Sequence, residues 1–492
     1  MKRIQLPSLF LLPLLLLTSC LTPEQTPPAP VSPINQPDQA AQPFPTPEAE
    51  FTPLPTRPPY QPGELVDYIA QTGDTLPALA AHFNTTETEI RAANPIIPQD
   101  ATTMPPGLPM KIPIYYMPLW GSFYQIIPDS LFVDGPAQVG FDVKAFVESQ
   151  PGWLKTYSEQ IADGPHSGAE LVQIVSKNFS ISPRLLLALL EYYAGALSRP
   201  DVPQNPYALN YSDPLHKGLY LQMVWAANTL NNGYYSWRRG TLTEFEHPDG
   251  RLERPDPWQN AASVALRYLF SRQYSSPVYD QVVGPGGLAQ AYAGLFGDPW
   301  INAAPHIPGS LRQPQFLLPF ERDKTWNYTG GPHTGWGKGE PFAAIDFAPT
   351  GVAECGSTAE WTTAMADGVV VRSETDGLAL DLDGDGQEET GWVIFYLHLA
   401  ATDRAPLGKT LKAGERIGHP SCEGGETTGT HVHLARKYNG EWILADSPLP
   451  FDMEGWLVRN GTAAYKGMLT RFSQTVIASS KSESKSVIKS GE

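Results

Sequence analysis

The sequence predicts a multidomain chain with a small βααβ unit, a mainly α-helical central region and an all-β antiparallel-sheet region. Its 492 residues exceed the roughly 100–200 residues of one domain. Apolar residues recur at helical spacing from about 118 to 310, whereas short alternating segments separated by Gly, Pro, Asp and Asn fill 315–466. A compact stretch with both strand and helix signals, 64–116, precedes them. We therefore expect three folded regions.

The N-terminus has the pattern of an export signal, assigned to residues 1–19. A basic start, Lys2 and Arg3, precedes an apolar run that is too short to span a bilayer comfortably. The sequence Leu17-Thr18-Ser19-Cys20 then resembles the lipobox of bacterial lipoproteins. The resemblance implies cleavage before Cys20, lipidation of Cys20 and an extracytoplasmic protein anchored to the bacterial cell membrane. An ordinary secretory signal with an incidental cysteine is the alternative.

Two segments lack the apolar residues needed for a packed core. Residues 20–63 are rich in Pro, Thr, Gln and Ala, which predicts an extended tether. Residues 467–492, rich in Ser and Lys towards their end, are predicted to form a flexible tail. We therefore expect the folded regions to lie between these two segments.

Charge and cysteine content restrict the partners and the compartment. The 34 basic and 51 acidic residues give a formal charge of −17 without a basic stripe, so nucleic acid is not an expected partner. Besides Cys20 there are only Cys355 and Cys422, an even number for an exported chain, which predicts one disulfide. A zinc site on these two cysteines is less expected, because nearby histidines supply enough ligands.

The stretch 64–116 carries signals for two helices between two strands. Thr86 and Glu89 form a capping-box pair for the second helix. Strands are predicted around 66–69 and 110–114, and the first helix follows Gly73-Asp74-Thr75. This order resembles a LysM (lysin motif) domain, and the residues that carry the resemblance are Tyr68, Gly73-Asp74-Thr75-Leu76, Asn94-Pro95 and Lys111-Ile112-Pro113. The resemblance implies binding of peptidoglycan glycan; a stable module without sugar affinity is the alternative.

The central region, 118–310, is predicted to contain at least four helices. They cover 171–179, 185–197, 219–230 (stopped by Asn231-Asn232-Gly233) and 258–270. The segments 186–191 and 218–223 faintly resemble helices of lysozyme-type transglycosylases. That resemblance would make Glu191 a general acid whose pKa is raised by burial. However, Tyr192 stands where a serine usually follows, and a helical scaffold or glycan-contact domain is the alternative.

The last folded region, 315–466, is predicted to be an antiparallel sheet. Strands are predicted at 369–372, 378–382, 392–399, 414–417 and 432–438. Three aspartates, Asp381, Asp383 and Asp385, look like the first half of a calcium loop. Trp392 stands where a closing glutamate is needed, so we favour the alternative of a tight Asp-Gly hairpin turn.

Five residues of this region are candidates for a metal centre: His333, Asp346, His398, His431 and His433. Residues i and i+2 of a strand point to the same face, so His431 and His433 can converge on one point. Catalytic zinc usually takes three protein ligands and keeps a fourth position open. Five groups suffice for three ligands and two proton-handling histidines, which favours a catalytic over a closed structural zinc.

The order His–Asp–His–His-x-His resembles the lysostaphin-type zinc endopeptidases. The wide gap from His333 to Asp346 and the segment 421–425 resemble their beta-lytic metalloendopeptidase branch. The more common short His-x-x-x-Asp spacing is absent. The resemblance implies that His333, Asp346 and His433 bind zinc, that His431 is the general base on the attacking water, and that His398 stabilises or protonates the tetrahedral intermediate.

The sequence thus predicts a lipid-anchored zinc endopeptidase that cuts peptide bonds in peptidoglycan and is held to the glycan by a LysM domain. A non-catalytic wall-binding protein that activates another hydrolase is one alternative. A glycan-cleaving enzyme that acts through the central domain is the other.

Overall fold

The computed structural model describes Arg57 and residues 59–301, 303–352 and 354–491. The predicted signal peptide 1–19, Cys20 and most of the predicted tether lie outside these residues. In the described part of the chain, no helix combines the length and the hydropathy needed to cross a bilayer.

The βααβ unit has the predicted order of elements. Strand β1 (Glu64–Ile69) pairs antiparallel with β2 (Pro109–Ile114), and α1 (Leu76–His82) and α2 (Glu87–Ala93) lie between them in the chain. The hydroxyl of Thr86 accepts from the Glu89 amide while the Glu89 carboxylate accepts from the Thr86 amide, so the predicted capping box is present. The unit has its own hydrophobic core, which includes Phe83.

Threonine hydroxyls of this unit form hydrogen bonds with the segment that precedes the β region. Thr103 donates to the Pro308 carbonyl (2.7 Å) and accepts from the Leu311 amide (3.0 Å). Thr72 accepts from the Ile307 amide (2.9 Å). Both hydroxyls are paired with backbone that lies more than 200 residues away in the chain, so the βααβ unit is docked on the rest of the protein.

The central region is mainly helical, with two short hairpins. Its helices are α3 (Val143–Ser149), α4 (Gly168–Phe179), α5 (Pro183–Ala194), α6 (Leu219–Arg238), α7 (Ala261–Ser271), α8 (Val278–Val282) and α9 (Leu288–Phe296). The hairpins pair β3 (Ser158–Ile161) with β4 (Gly164–Ser167) and β5 (Phe245–Glu246) with β6 (Leu252–Glu253).

Helix α6 runs well past its predicted end at 230, so the stop signal read from Asn231-Asn232-Gly233 was wrong. Asn231 donates its side-chain amide to the Phe179 carbonyl (3.0 Å). Gly233 faces α7, where a Cβ would lie 2.9 Å from the Ala265 Cα. Helix-breaking propensity is therefore outweighed by close helix packing and a buried hydrogen bond.

The C-terminal region is built on a large antiparallel sheet, as predicted. Its strands are β7 (Thr325–Thr334), β8 (Phe342–Pro349), β9 (Thr362–Thr363), β10 (Gly368–Glu374), β11 (Gly377–Asp381), β12 (Trp392–Leu397), β13 (Thr410–Leu411), β14 (Arg416–Gly418), β15 (Val432–Tyr438), β16 (Glu441–Trp442), β17 (Asp452–Met453), β18 (Trp456–Asn460), β19 (Gly467–Arg471), β20 (Gln474–Ile477) and β21 (Val487–Lys489). The main sheet has the order β13-β10-β11-β12-β15-β8-β7-β21, with β16 paired to β15. Strands β17 to β20 form a second sheet, and β9 pairs with β14.

The prediction of a flexible tail at 467–492 was wrong. Strand β19 pairs with β18, β20 pairs with β19, and β21 pairs with β7 and forms the edge of the main sheet. The side chains of Leu469 and Ile488 are buried in the core of the β region. A few apolar residues at alternate positions are enough for a strand when an existing sheet offers the hydrogen-bonding edge.

The two faces of the main sheet pack against different cores. Ile345 and Leu434 point into the core of the β region, whereas Ala344, Phe395 and Ala435 belong to the core of the helices. Alternation along a strand separates these sets. The helical region therefore covers one face of the sheet.

Arg238 joins the three regions in one buried cluster. From the end of α6 its guanidinium donates to the Thr72 carbonyl of the βααβ unit, to Asp129 (3.1 Å) and to Glu441 (3.2 Å) of the β region. Although burial opposes ionisation, the Arg238 charge lowers the pKa of Glu441 to about 2. The Glu441 carboxylate is therefore ionised near neutral pH beside the Arg238 guanidinium.

Replacing Arg238 by Met is expected to reduce the free energy of unfolding by about 3–5 kcal/mol, because the buried carboxylates of Asp129 and Glu441 lose their partner. Chemical denaturation measures this loss. The exposed Arg272 gives a matched control, for which Arg272→Met should change stability little. Equal unfolding midpoints for the two variants would contradict the assigned role.

Candidate metal centre

Three side chains from three neighbouring strands meet at one point of the main sheet. His333 lies on β7, Asp346 on β8 and His433 on β15, where His433 is directly opposite Asp346. The Asp346 Oδ1 atom lies 3.3 Å from His333 Nε2 and 3.4 Å from His433 Nδ1, and the two nitrogens are 3.0 Å apart. All three residues are buried. The structure thus brings together the three predicted metal ligands.

Two glycines allow β7 to approach this closely. A Cβ on Gly330 would lie 2.2 Å from the Asp346 Oδ2 atom, and one on Gly331 would lie 2.5 Å from the Lys466 backbone. The pairing of β7 with β8 shifts register between Gly330 and His333. Such an irregularity re-aims the following side chains, so the Gly-Gly pair directs His333 towards Asp346.

Backbone carbonyls hold the outer nitrogen of each ligand histidine. His333 Nδ1 donates to the Gly331 carbonyl (2.8 Å), and His433 Nε2 donates to the Gly335 carbonyl (3.1 Å). In a neutral imidazole the other nitrogen then carries a lone pair. His333 Nε2 and His433 Nδ1 are therefore both acceptors, and they face each other across the site.

These acceptors fit a bound cation. Within the described part of the chain, the buried Asp346 Oδ1 atom has no hydrogen-bond partner, and its nearest neighbours are the two imidazole lone pairs. Ligands at about 2.05 Å from a tetrahedral zinc ion lie about 3.3 Å apart, close to the 3.0–3.4 Å separations here. In the absence of a metal, a protonated His333 ring takes its place and lowers the pKa of Asp346 well below the usual value, although burial opposes the charge. The donor set of two imidazoles and one carboxylate suits zinc.

The other two candidate histidines lie beside the three ligands. His431 Nε2 is 3.8 Å from Asp346 Oδ1, and the rings of His431 and His398 have centroids 4.5 Å apart. His431 Nδ1 donates to the Gly429 carbonyl (2.7 Å) and His398 Nδ1 to the Glu423 carbonyl (2.7 Å). Burial lowers the pKa of His398 to about 3, which keeps this ring neutral at pH 7.

Backbone strain marks His398. Its φ of 64° lies in the left-handed region, which a residue with a Cβ rarely adopts. The conformation costs on the order of 1–3 kcal/mol and persists where the surroundings enforce it. Here the Ser421 amide donates to the His398 carbonyl (2.7 Å), so the neighbouring loop fixes the backbone that carries the ring.

The predicted disulfide is confirmed. Cys355 and Cys422 are bonded, with Cα atoms 5.5 Å apart. Cys422 lies between Ser421, which is bridged to His431, and Glu423, whose carbonyl accepts from His398. The disulfide therefore restrains the loop that contacts both of these histidines.

Tyr465 is a neighbour of the site that the sequence interpretation missed. Its ring stacks on His333 with centroids 4.1 Å apart, and 51% of the residue is exposed. Its backbone carbonyl accepts from the Gly331 amide (3.0 Å). Because Tyr465 lies more than 130 residues after His333 and belongs to none of the motifs, no sequence signal pointed to it.

Two other predicted sites have local structural roles. Glu191 is buried, and its carboxylate accepts from the backbone amides of Leu197 (2.7 Å) and Ser198 (3.1 Å), so it holds the chain after α5. Nothing in these contacts supports a general acid.

The carboxylates of Asp381, Asp383 and Asp385 come within metal-binding reach of one another.

The aspartate loop is longer than the predicted tight turn, because β11 ends at Asp381 and β12 starts at Trp392. Asp381 accepts from the amides of Asp383 (3.1 Å) and Gly386 (2.9 Å). The carboxylate oxygens are thus used as backbone acceptors, as in Asx turns. These contacts account for the acidic residues without calcium, and the calcium prediction is not supported.

Comparison with known proteins indicates the class of enzyme to which the chain is similar. The family described as "LasA, N-terminal domain" matches residues 125–309, and the sequence relatives of the chain bear the names of proteases. The chain is a metalloendopeptidase. In particular, it is similar to protease LasA of Pseudomonas aeruginosa (strain UCBPP-PA14), with 23% identity over 337 residues that cover 64% of this chain and 74% of that protein.

Two further proteins are similar to a part of the chain. The beta-lytic metalloendopeptidase of Achromobacter lyticus is 27% identical over 204 residues, which cover 40% of this chain and 49% of that protein. Among solved structures, the M23 metalloprotease pseudoalterin from the deep sea is 23% identical; the match covers 34% of this chain and 96% of that one with a TM-score of 0.29.

Proposed function

We propose that the protein is a zinc-dependent endopeptidase that hydrolyses peptide bonds in bacterial peptidoglycan. The observation that carries the proposal is the buried Asp346 Oδ1 atom, which has no hydrogen-bond donor among the described residues and faces the lone pairs of His333 and His433. The relatives named as metalloendopeptidases support the reaction type. The resemblance of the βααβ unit to LysM domains supports the cell wall as the location of the substrate.

The residues of the site divide into ligands and proton carriers. His333, Asp346 and His433 would hold the zinc, which supplies Lewis acidity that polarises the scissile carbonyl and acidifies water. His431 has its outer nitrogen bonded to Gly429, so its Nε2 lone pair can take a proton from the attacking water. His398, held in the same way by Glu423, would stabilise or protonate the tetrahedral intermediate after its Nε2 has taken up the proton that leaves the attacking water.

Product analysis on purified muropeptides tests this function against its alternatives. The wild-type protein should release new amino termini, and His433→Ala should abolish this release while Glu191→Ala leaves it intact. Cleavage of glycosidic bonds that depends on Glu191 would favour the glycan-cleaving alternative. Zinc binding without any cleavage, together with stimulation of a separate hydrolase, would favour the activator. Peptide-bond cleavage that survives in His433→Ala would overturn the proposal.

Acidification is expected to weaken zinc binding, because a ligand histidine binds the metal only as a neutral ring. Although burial opposes its charge, Asp346 raises the pKa of His333 above the usual value, so protons compete with zinc at this ligand already near neutral pH. The apparent zinc affinity should fall steadily as the pH is lowered from about 8 to about 5. Chelator competition at a series of pH values measures it, and a flat profile would contradict the ligand assignment.

We further propose that the lipidated Cys20 anchors the protein to the membrane, that the tether spaces it from the lipid, and that the βααβ unit binds glycan. Together they would raise the effective concentration of the enzyme at the wall. Cys20→Ser should move the protein from the membrane to the soluble fraction. The purified protein should sediment with insoluble peptidoglycan but not with cellulose; equal sedimentation with both would refute specific glycan binding.

A further inference from the structure

The hydrogen bond that orients His433 comes from a loop and not from a strand. The accepting carbonyl belongs to Gly335, in the connection between β7 and β8. This bond makes Nδ1 the nitrogen that faces Asp346, at 3.4 Å from its Oδ1. Hydrogen-bond partners of this kind fix the tautomer and the ring orientation of a metal-binding histidine. The position of the loop therefore matters for the metal centre.

The loop is held by helix α6 of the central region. Asn228 Oδ1 accepts from the Lys338 amide (2.7 Å), and Asn232 Oδ1 accepts from the Glu340 amide (2.8 Å). The side-chain amide of Asn232 donates to the Lys338 carbonyl (3.2 Å). Residues four apart lie on the same face of a helix, so the two asparagines form a row of polar groups that binds the loop backbone.

The fit between the helix and the loop depends on two glycines. Gly337 and Gly339 have φ values of 78° and 90°, a conformation that L-residues rarely adopt. A Cβ at Gly337 would lie 2.4 Å from the Asn228 Oδ1 atom, and one at Gly339 would lie 2.1 Å from the Asn232 Oδ1 atom. The loop backbone is thus in direct contact with the two asparagines, and its glycines leave room for them.

The loop transmits this contact to Gly335. The Gly335 amide donates to the Pro341 carbonyl (2.9 Å), which closes the loop between the asparagine contacts and the carbonyl that meets His433. Trp336 packs against the core of the helices and lies edge-on to Phe395, with ring centroids 6.0 Å apart. A short path of direct contacts therefore runs from α6 to the metal ligand.

We infer that Asn228 and Asn232 are positioning residues for the metal centre: they fix the β7–β8 loop so that Gly335 orients His433. The helical region is then a part of the support of the metal centre in this chain. The inference rests on the proposed zinc site. It assigns to the central region a task that does not require any catalytic group of its own.

Asn228→Ala and Asn232→Ala are each expected to weaken zinc binding by roughly 10–100-fold, the usual effect of losing an outer-shell partner. The dissociation constant is measured on the full protein by competition with a chelator, and kcat and KM are measured at saturating zinc. KM should stay close to that of the wild type, because the asparagines contact the loop from the side of the helix.

Two matched variants separate positioning from general damage to α6. Asn228→Asp keeps the Oδ1 acceptor for the Lys338 amide and should restore most of the zinc affinity. Thr229→Ala removes a hydroxyl that donates to the Trp225 carbonyl of the same helix (2.8 Å) and should leave the affinity unchanged. If one alanine variant does not fold, the other still carries the test, because each asparagine has its own contact with the loop.

The outcomes distinguish this inference from the proposed function. Wild-type zinc affinity in both folded alanine variants overturns the positioning role and leaves the zinc site intact. Equal losses in Thr229→Ala and Asn228→Ala also overturn it, since the effect is then one of helix stability. A wild-type protein that binds no zinc overturns the proposed function itself.

Discussion

Asp346→Asn is expected to lose its zinc and its peptidase activity while the fold is kept. The substitution preserves the shape of the side chain but removes the charge between His333 and His433. Loss of a mere supporting partner of a ligand costs roughly 10–100-fold in metal affinity, so loss of the anionic ligand should cost more than about 100-fold. Metal analysis of the purified protein should give one zinc per wild-type chain and none in the variant.

The stability of this variant should change in a metal-dependent way. Without zinc, the neighbouring His333 favours the ionised carboxylate and lowers the pKa of Asp346 well below its usual value, so the neutral amide should make the variant less stable near neutral pH. With zinc at 1,000 times its dissociation constant, the wild-type protein gains about 4 kcal/mol, a gain that the variant lacks. Denaturation with and without zinc measures both effects.

Asp403→Asn provides the matched control for this experiment, because Asp403 is exposed in the same region and has a positive φ that asparagine tolerates. It should retain zinc, activity and the zinc-dependent gain in stability. Stoichiometric zinc in Asp346→Asn would show that the carboxylate is not a ligand and would refute the assigned metal centre.

His431→Ala is expected to separate catalysis from metal binding. His431 is held by Gly429 beside the ligands, and its Nε2 lies 3.8 Å from Asp346 Oδ1. Loss of a general base typically lowers the rate by about 10²–10⁴-fold. The variant should therefore bind one zinc per chain with nearly wild-type affinity but show that fall in kcat.

His419→Ala is the control for His431→Ala. His419 lies in the same region; its ring packs at a tilt against Trp361, with centroids 3.7 Å apart, and its Nδ1 donates to the Glu360 carbonyl (2.8 Å), so neither contact involves a proposed ligand. It should keep full activity. Loss of zinc in His431→Ala would instead make His431 a ligand, and an unchanged kcat would exclude it as the base.

His398→Ala extends the comparison. If His398 and His431 act as one proton-handling unit, the double variant should be hardly slower than the slower single variant, as for groups that act together. Additive losses would indicate independent roles. Zinc content serves as the internal check in all three variants.

Many helices and strands could be predicted from the sequence, because the interactions that form them join residues close together in the chain. The capping box of Thr86 and Glu89 was predictable, since both partners lie within one helical turn. The extent of β15 was predictable from 432–438, and its period of two puts His431 and His433 on one side of the strand. The resemblance to metalloendopeptidases predicted that these two histidines lie in one site with His333 and Asp346.

Predictions failed where distant contacts outweigh local propensity. Helix α6 continues through Asn231-Asn232-Gly233, where the sequence predicted its end, because Asn231 bonds to Phe179 and Gly233 lets α7 pack closely. The polar C-terminal segment becomes a strand because β7 offers it an edge.

The sequence by itself determined the candidate groups, because a carboxylate and four histidines in this order indicate metal binding and proton transfer. Only the tertiary structure decided which of their atoms face one another in the proposed metal centre. That choice depends on carbonyls such as Gly335, whose position is set by α6 about 100 residues earlier in the chain. Hydrogen bonds over such separations follow from packing, and packing is a property of the whole fold.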